Sequence, residues 1–115
     1  MLTITMFKKD LLPVLRFTLV DRVGNMIDLT NATVRFYMGV DATNLIINGR
    51  ECTKTKEVDQ ITGKVCWYVE YVWEPGDTDL VGEYLGEVVL TFPSGKMESA
   101  NGPFNVVIAE SLRLT

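Results

Sequence analysis

Three carboxylates crowd one short stretch, Glu74, Asp77 and Asp79 in Trp73-Glu-Pro-Gly-Asp-Thr-Asp79. Closely spaced oxygen donors are the raw material of a calcium loop. Such a loop also needs a longer alternating run of ligands and a terminal bidentate Glu, and this stretch has neither. The favoured reading is a turn, with Asp77 capping the chain ahead of Gly82 and Asp79 solvated. Cys66, beside Trp67, is a nucleophile by type, but the chain contains no histidine to activate it. The same absence leaves Ser94, Ser99 and Ser111 without the base of a hydrolytic triad and removes the commonest zinc ligand. No glycine-rich phosphate cradle occurs. The residue inventory points away from an enzyme, and no cofactor or metal is expected.

Aromatic residues carry the other chemistry. Trp67, Tyr71 and Trp73 lie on one face of an alternating run, where flat rings would suit a sugar platform. Period-two aromatics in an apolar strand are more often core, and Trp67 and Trp73 are read as core residues. Tyr37 and Tyr68, on the opposite faces of their runs, are the better candidates for touching a partner.

These residues need strands to position them. Leu15, Phe17 and Leu19 share one face of Pro13–Val20, with Arg16 and Thr18 opposite. Val34, Phe36 and Met38 do the same in Thr33–Met38. The pattern repeats in Lys64–Trp73 (Val65, Trp67, Val69, Tyr71, Trp73), Glu83–Phe92 (Tyr84, Val88, Leu90, Phe92) and Pro103–Glu110 (Phe104, Val106, Ile108). Segments that each offer one apolar face bury it by stacking two sheets. Asp21–Asn25, Asp59–Gly63 and Pro93–Gly95 each end in a residue suited to positive φ, and Asn31 is a candidate for left-handed geometry. With Asp59–Gly63 as the loop, Val58 pairs with Lys64, joining Glu51–Val58 and Lys64–Trp73 in a hairpin. The weaker pattern from Gly39 to Arg50 reads as a loop or a short edge strand. The expected fold is all-β: one immunoglobulin-like sandwich of about seven to eight antiparallel strands spanning 1–115.

The chain has 115 residues, 47% of them hydrophobic and 23% charged, a foldable composition for one domain. Its net charge of −4 argues against nucleic acid and against acidic membrane surfaces as partners. Met1–Asp10 lacks the basic start and apolar core of a secretory signal, and no run approaches the roughly 18 apolar residues of a spanning helix. The expected hairpin puts Cys66 nearer Lys56 than Cys52, too far for a bridge. Both cysteines are read as free thiols, as in a reducing cytoplasm.

Asp79 followed by Gly82-Glu-Tyr84 at the start of a strand resembles the tyrosine corner of immunoglobulin-like sandwiches, with Asp77, Asp79, Gly82 and Tyr84 as its signature. Gly86 stands where an antibody domain carries its second cysteine. Further motifs follow in order: Phe7-Lys-Lys-Asp10, Pro13-Val-Leu-Arg-Phe-Thr-Leu19, Asp21-x-x-Gly24, Asp28-Leu-Thr-Asn-Ala-Thr-Val34, Thr62-Gly-Lys-Val65 and Thr91-Phe-Pro-Ser-Gly-Lys96. Together they resemble the immunoglobulin-like N-terminal domain of phage baseplate upper proteins. Lys9 and Asn31 stand where that pattern usually carries glycine. The resemblance implies a non-enzymatic virion structural protein, made in the bacterial host cytoplasm and placed in a tail, baseplate, neck or capsid surface. Its partners would be other virion proteins and copies of itself.

The ends offer a route to such contacts. Leu2, Ile4 and Met6 alternate with threonines, and Leu112 and Leu114 flank Arg113. One reading is extra strand length in the same sandwich. The other is an N-terminal arm (1–6) that carries apolar side chains to a neighbouring subunit. The rival to assembly is an accessory module that binds host glycan or another host surface through the tryptophans and the acidic turn.

Overall fold

A computed structural model describes residues 2–19 and 27–112. Eight strands form: β1 (Thr3–Phe7), β2 (Leu15–Thr18), β3 (Thr33–Asp41), β4 (Asn44–Glu51), β5 (Thr53–Val58), β6 (Val65–Tyr71), β7 (Gly82–Thr91) and β8 (Met97–Ala109). They make a five-stranded sheet, ordered β1-β8-β7-β3-β4, and a three-stranded sheet, ordered β2-β6-β5. In the immunoglobulin scheme β8, β7, β3 and β4 stand as G, F, C and C′, and β2, β6 and β5 as B, E and D. The fold is an all-β, immunoglobulin-like sandwich.

The alternating residues do what their spacing requires. Phe17, Leu19, Val34, Phe36, Met38, Val69, Tyr71, Val88, Leu90, Phe104, Val106 and Ile108 are all buried between the sheets. Phe36 sits at the centre, its ring 4.6 Å from Tyr71 and 6.1 Å from Trp73 between centroids. Phe104 closes the far side, 5.5 Å from Phe17. Gly86 makes room for it, since a Cβ there would lie 2.8 Å from the Phe104 ring.

Several expectations need correction. The strands are not all antiparallel: β1 runs parallel to β8, Thr3 beside Asn105 through Phe7 beside Ala109. A period-two pattern marks a face and carries no information about strand direction. Gly39–Arg50 holds an edge strand, the second of its two readings, but β4 is eight residues long rather than short. Register shifts in its pairing with β3 blur its alternation: two leave an extra residue on β4, Gly49 and Ile46, and one leaves Val40 extra on β3. Glu51–Val58 is not one strand either. The chain changes sheet at Cys52, whose N–H donates to the Val34 carbonyl at 2.8 Å. The hairpin is offset by one residue, with Val58 beside Val65 and Glu57 beside Cys66. Closure of the loop by Asp59 N–H onto the Lys64 carbonyl (2.8 Å), with Gly63 N–H on the Asp59 carbonyl (2.8 Å), sets that register. Both cysteines are free.

Gly63 and Gly95 take the expected positive φ, 71° and 86°. Asn31 does not. Asp28 accepts the Thr30 N–H at 3.0 Å and Ala32 N–H closes onto Leu29 at 3.2 Å, a turn that needs no left-handed residue. Lys9 takes φ 68° instead, just after β1. The expected Asp21–Asn25 turn lies outside the described residues.

Candidate functional site

The acidic turn is a structural knot. Asp77, 5% exposed, accepts two hydrogen bonds from the Arg50 guanidinium at 2.8 Å, one from the Tyr71 hydroxyl at 2.6 Å and one from the Glu74 N–H at 2.8 Å. Arg50 also reaches the Glu74 carboxylate at 3.2 Å. Arg50 is on β4 of one sheet and Tyr71 ends β6 of the other, so the knot ties the layers together. The hydrogen bond to Asp77 raises the Arg50 pKa. Burial, with the bond to the Asp77 carboxylate, pushes the Tyr71 phenol up. Both Asp77 oxygens are engaged by Arg50, Asp79 is exposed, and no group of three metal-ligating side chains occurs among the described residues. Sequence reasoning missed Arg50 because it fell in the stretch with blurred alternation.

Tyr84 makes the corner. Its hydroxyl donates to the Leu80 carbonyl four residues upstream at 2.8 Å, at the crossing from β6 to β7. Gly82 is small for this reason: a Cβ there would sit 3.1 Å from the Tyr84 oxygen. The acceptor is Leu80 rather than Asp79.

The tryptophans do not form a sugar platform. Trp73 is 2% exposed, edge-on to Phe36 and Tyr71, and its indole N–H has no hydrogen-bond partner among the described residues. Trp67 is partly buried rather than fully core. It packs on the rim of the sandwich, where Lys56, Asp28 and Val65 join it around a shallow groove of about 220 Å³. The inward face of β6 runs out of covering strand there, and Val65 is 38% exposed. Tyr68 lies beneath the Arg16 guanidinium, 4.0 Å from its ring centre.

The terminal residues divide. Met6 is 2% exposed and belongs to this chain's own core, so it is no free contact residue, and Ile4 packs beside it. Residues 3–7 are therefore an edge strand of the sandwich and not an arm. Leu2 and Leu112 are exposed, and Leu114 lies outside the described residues.

The two outer faces differ in chemistry. That of the three-stranded sheet is mostly polar, with Arg16, Glu70 and Thr53 in register across it and Tyr68 and Cys66 beside Thr55 and Glu57. The five-stranded sheet carries a groove of about 440 Å³ between Tyr37, Leu45, Leu85 and Pro103, with Asp41 and Glu87 on its walls. Gly39 lies in it because a Cβ would come within 2.4 Å of the Asn44 carbonyl oxygen as β4 folds back. Among the described residues no cation pairs with Asp41 or Glu87. Leu85 is 42% exposed, and Phe7, at the outer corner of the same sheet, 50%. Neither the models of known protein families nor the sequences of characterised proteins match the chain.

Proposed function

We infer that the chain is a structural subunit of a tailed-phage particle that works by assembly and not by catalysis. Its partners are other particle proteins and copies of itself, and its place is the virion after synthesis in the host cytoplasm. The ordered motif resemblance supports the phage setting. The observation that carries assembly is the unpartnered outer face of the five-stranded sheet, where Leu85, Leu45 and Tyr37 stand exposed or half-exposed in one groove. The net charge of −4 fits a protein partner better than nucleic acid. The test is mass spectrometry of particles purified from a lysate of cells carrying this gene. Recovery of the chain with the particles through a density gradient supports the reading. Confinement to the soluble fraction overturns it.

One feature of that groove favours a second reading, host-glycan binding. Tyr37 offers a ring and Glu87 a carboxylate acceptor for hydroxyl groups, while the Asp41 carboxylate is taken up by Thr43 and Asn44. Binding on a glycan array that is lost in a folded Tyr37→Ala variant would favour it. An array without signal counts against it.

A further inference from the structure

A sandwich with two open sheets has four edges, and three of them here are defended against pairing. β4 is broken by two extra residues against β3, Ile46 and Gly49, the latter at φ 73°. β5 carries Lys54, Lys56 and Glu57 within six residues. β2 is four residues long, starts two residues after Pro13 and holds Arg16. The fourth edge, β1, reads Thr-Ile-Thr-Met-Phe, with no charge, no proline and no bulge.

The open side of β1 follows from its ladder. Leu2 accepts from the Asn105 N–H at 2.9 Å and Lys8 donates to the Ala109 carbonyl at 2.8 Å. In a parallel ladder the bonding residues alternate, so the even-numbered backbone groups face β8. The N–H and C=O of Thr3 and Thr5 and the N–H of Phe7 therefore point away from the sheet. The Phe7 carbonyl is engaged by the Asp10 N–H at 2.9 Å.

We propose that the open edge of β1 pairs antiparallel with β1 of a second copy about a two-fold axis at Thr5, making one continuous sheet across the dimer. This rests on the assembly reading above and names its partner. The strand is complementary to itself in that arrangement. Thr5 exchanges both backbone bonds with Thr5 of the second copy, and each Phe7 N–H meets the Thr3 carbonyl opposite. On the core side Ile4 comes opposite Met6 of the second copy, which covers the apolar surface Ile4 leaves partly open. On the outer side the two Thr5 side chains face each other. Lys8 falls opposite Leu2, so no like charges meet.

The test is the solution mass of the full chain by light scattering, with Thr5→Pro and Thr5→Lys as variants. Thr5→Pro removes an N–H that faces outward, so the β1–β8 ladder is kept. Thr5→Lys keeps the backbone and places two ammonium groups across the axis. The wild type is expected at twice 12.9 kDa. Both variants, checked as folded by thermal melting, are expected to dimerise at least about tenfold more weakly, a difference of about 1.4 kcal/mol. A wild type still monomeric at about 1 mM, or a folded variant that dimerises as tightly as the wild type, overturns the proposal. If that happens while the chain is recovered in particles, the edge pairing alone fails. Dimers that respond as expected, with no chain in particles, support the pairing and remove the virion role.

Discussion

Asp77→Ala removes the carboxylate on which both sheets converge, and the structure sets the size of the effect. Two bonds from Arg50, one from Tyr71 and one from the Glu74 N–H end on this 5%-exposed side chain. Hydrogen bonds to a charged group contribute about 1.5–3 kcal/mol each, but they are not additive. Removing one member of a buried ion pair typically costs about 3–5 kcal/mol. Here the Arg50 side chain is 35% exposed and keeps Glu74 at 3.2 Å, so its charge can rehydrate and the low end applies. The buried Tyr71 proton and the Glu74 N–H have no such relief. The expected loss is about 3 kcal/mol, a large share of the roughly 5–15 kcal/mol available to a domain of ordinary stability. Asp77→Asn restores one acceptor without the charge and should fall between Ala and wild type. Urea unfolding followed by tryptophan fluorescence measures both, with an unchanged denaturant slope showing that the transition is the same. A loss below about 1 kcal/mol for Asp77→Ala, the scale of a single ordinary hydrogen bond, refutes the knot as an intersheet tie.

Four further outcomes follow from separate features. Tyr84→Phe loses the bond to Leu80 and should cost about 1 kcal/mol by the same assay, and no change would show that the corner contributes nothing. Trp73→Ala should cost about 3–5 kcal/mol and Trp67→Ala clearly less, because Trp67 is only partly covered. The reverse ranking would mean that the β6 rim is misplaced. Lys9→Gly should raise stability by about 0.5–1 kcal/mol by relieving φ 68°, a gain absent if the left-handed turn does not form. Burial pushes the Cys52 thiol up to about 12, so it stays protonated at pH 8, and alkylation of the folded protein should reach Cys66 first. Equal rates at the two cysteines would contradict the buried position of Cys52.

Much of the fold was legible because one physical signal dominates it. The core strands mostly alternate, although β7 buries Val88, Val89 and Leu90 in succession, so Phe17, Phe36, Tyr71, Val88 and Phe104 were assignable to the interior from spacing alone. What the spacing hid was whatever breaks or ignores the period of two. The register shifts between β3 and β4 concealed β4, and with it Arg50, the cation that completes the Asp77 knot. Strand direction leaves no trace in alternation, so the parallel β1–β8 pairing was invisible, and with it the fate of Met6. The Asp59–Lys64 closure moved the hairpin by one residue, a choice between neighbouring turns that glycine placement alone does not make. Tyr84 was the exception, a site residue whose bond to a carbonyl upstream could be anticipated from Gly82-Glu-Tyr84. The groove over Gly39 could not, since it gathers Tyr37, Leu45 and Leu85 from three strands and depends on β4 being present.

Chemistry and architecture meet on the five-stranded sheet. Its inner face holds the core, its outer face offers the Tyr37–Leu85 groove, and its free edge exposes the backbone of Thr3 and Thr5. A rigid layer with one apolar face and one undefended edge suits a subunit that is held by its neighbours.

Electron cryomicroscopy of particles from cells carrying the gene tests the assembly role most directly. The predicted result is density for this eight-stranded sandwich at repeated positions on the particle, with the five-stranded sheet turned toward a neighbouring protein. Particles complete in every component, with the sandwich at none of their positions, would contradict it.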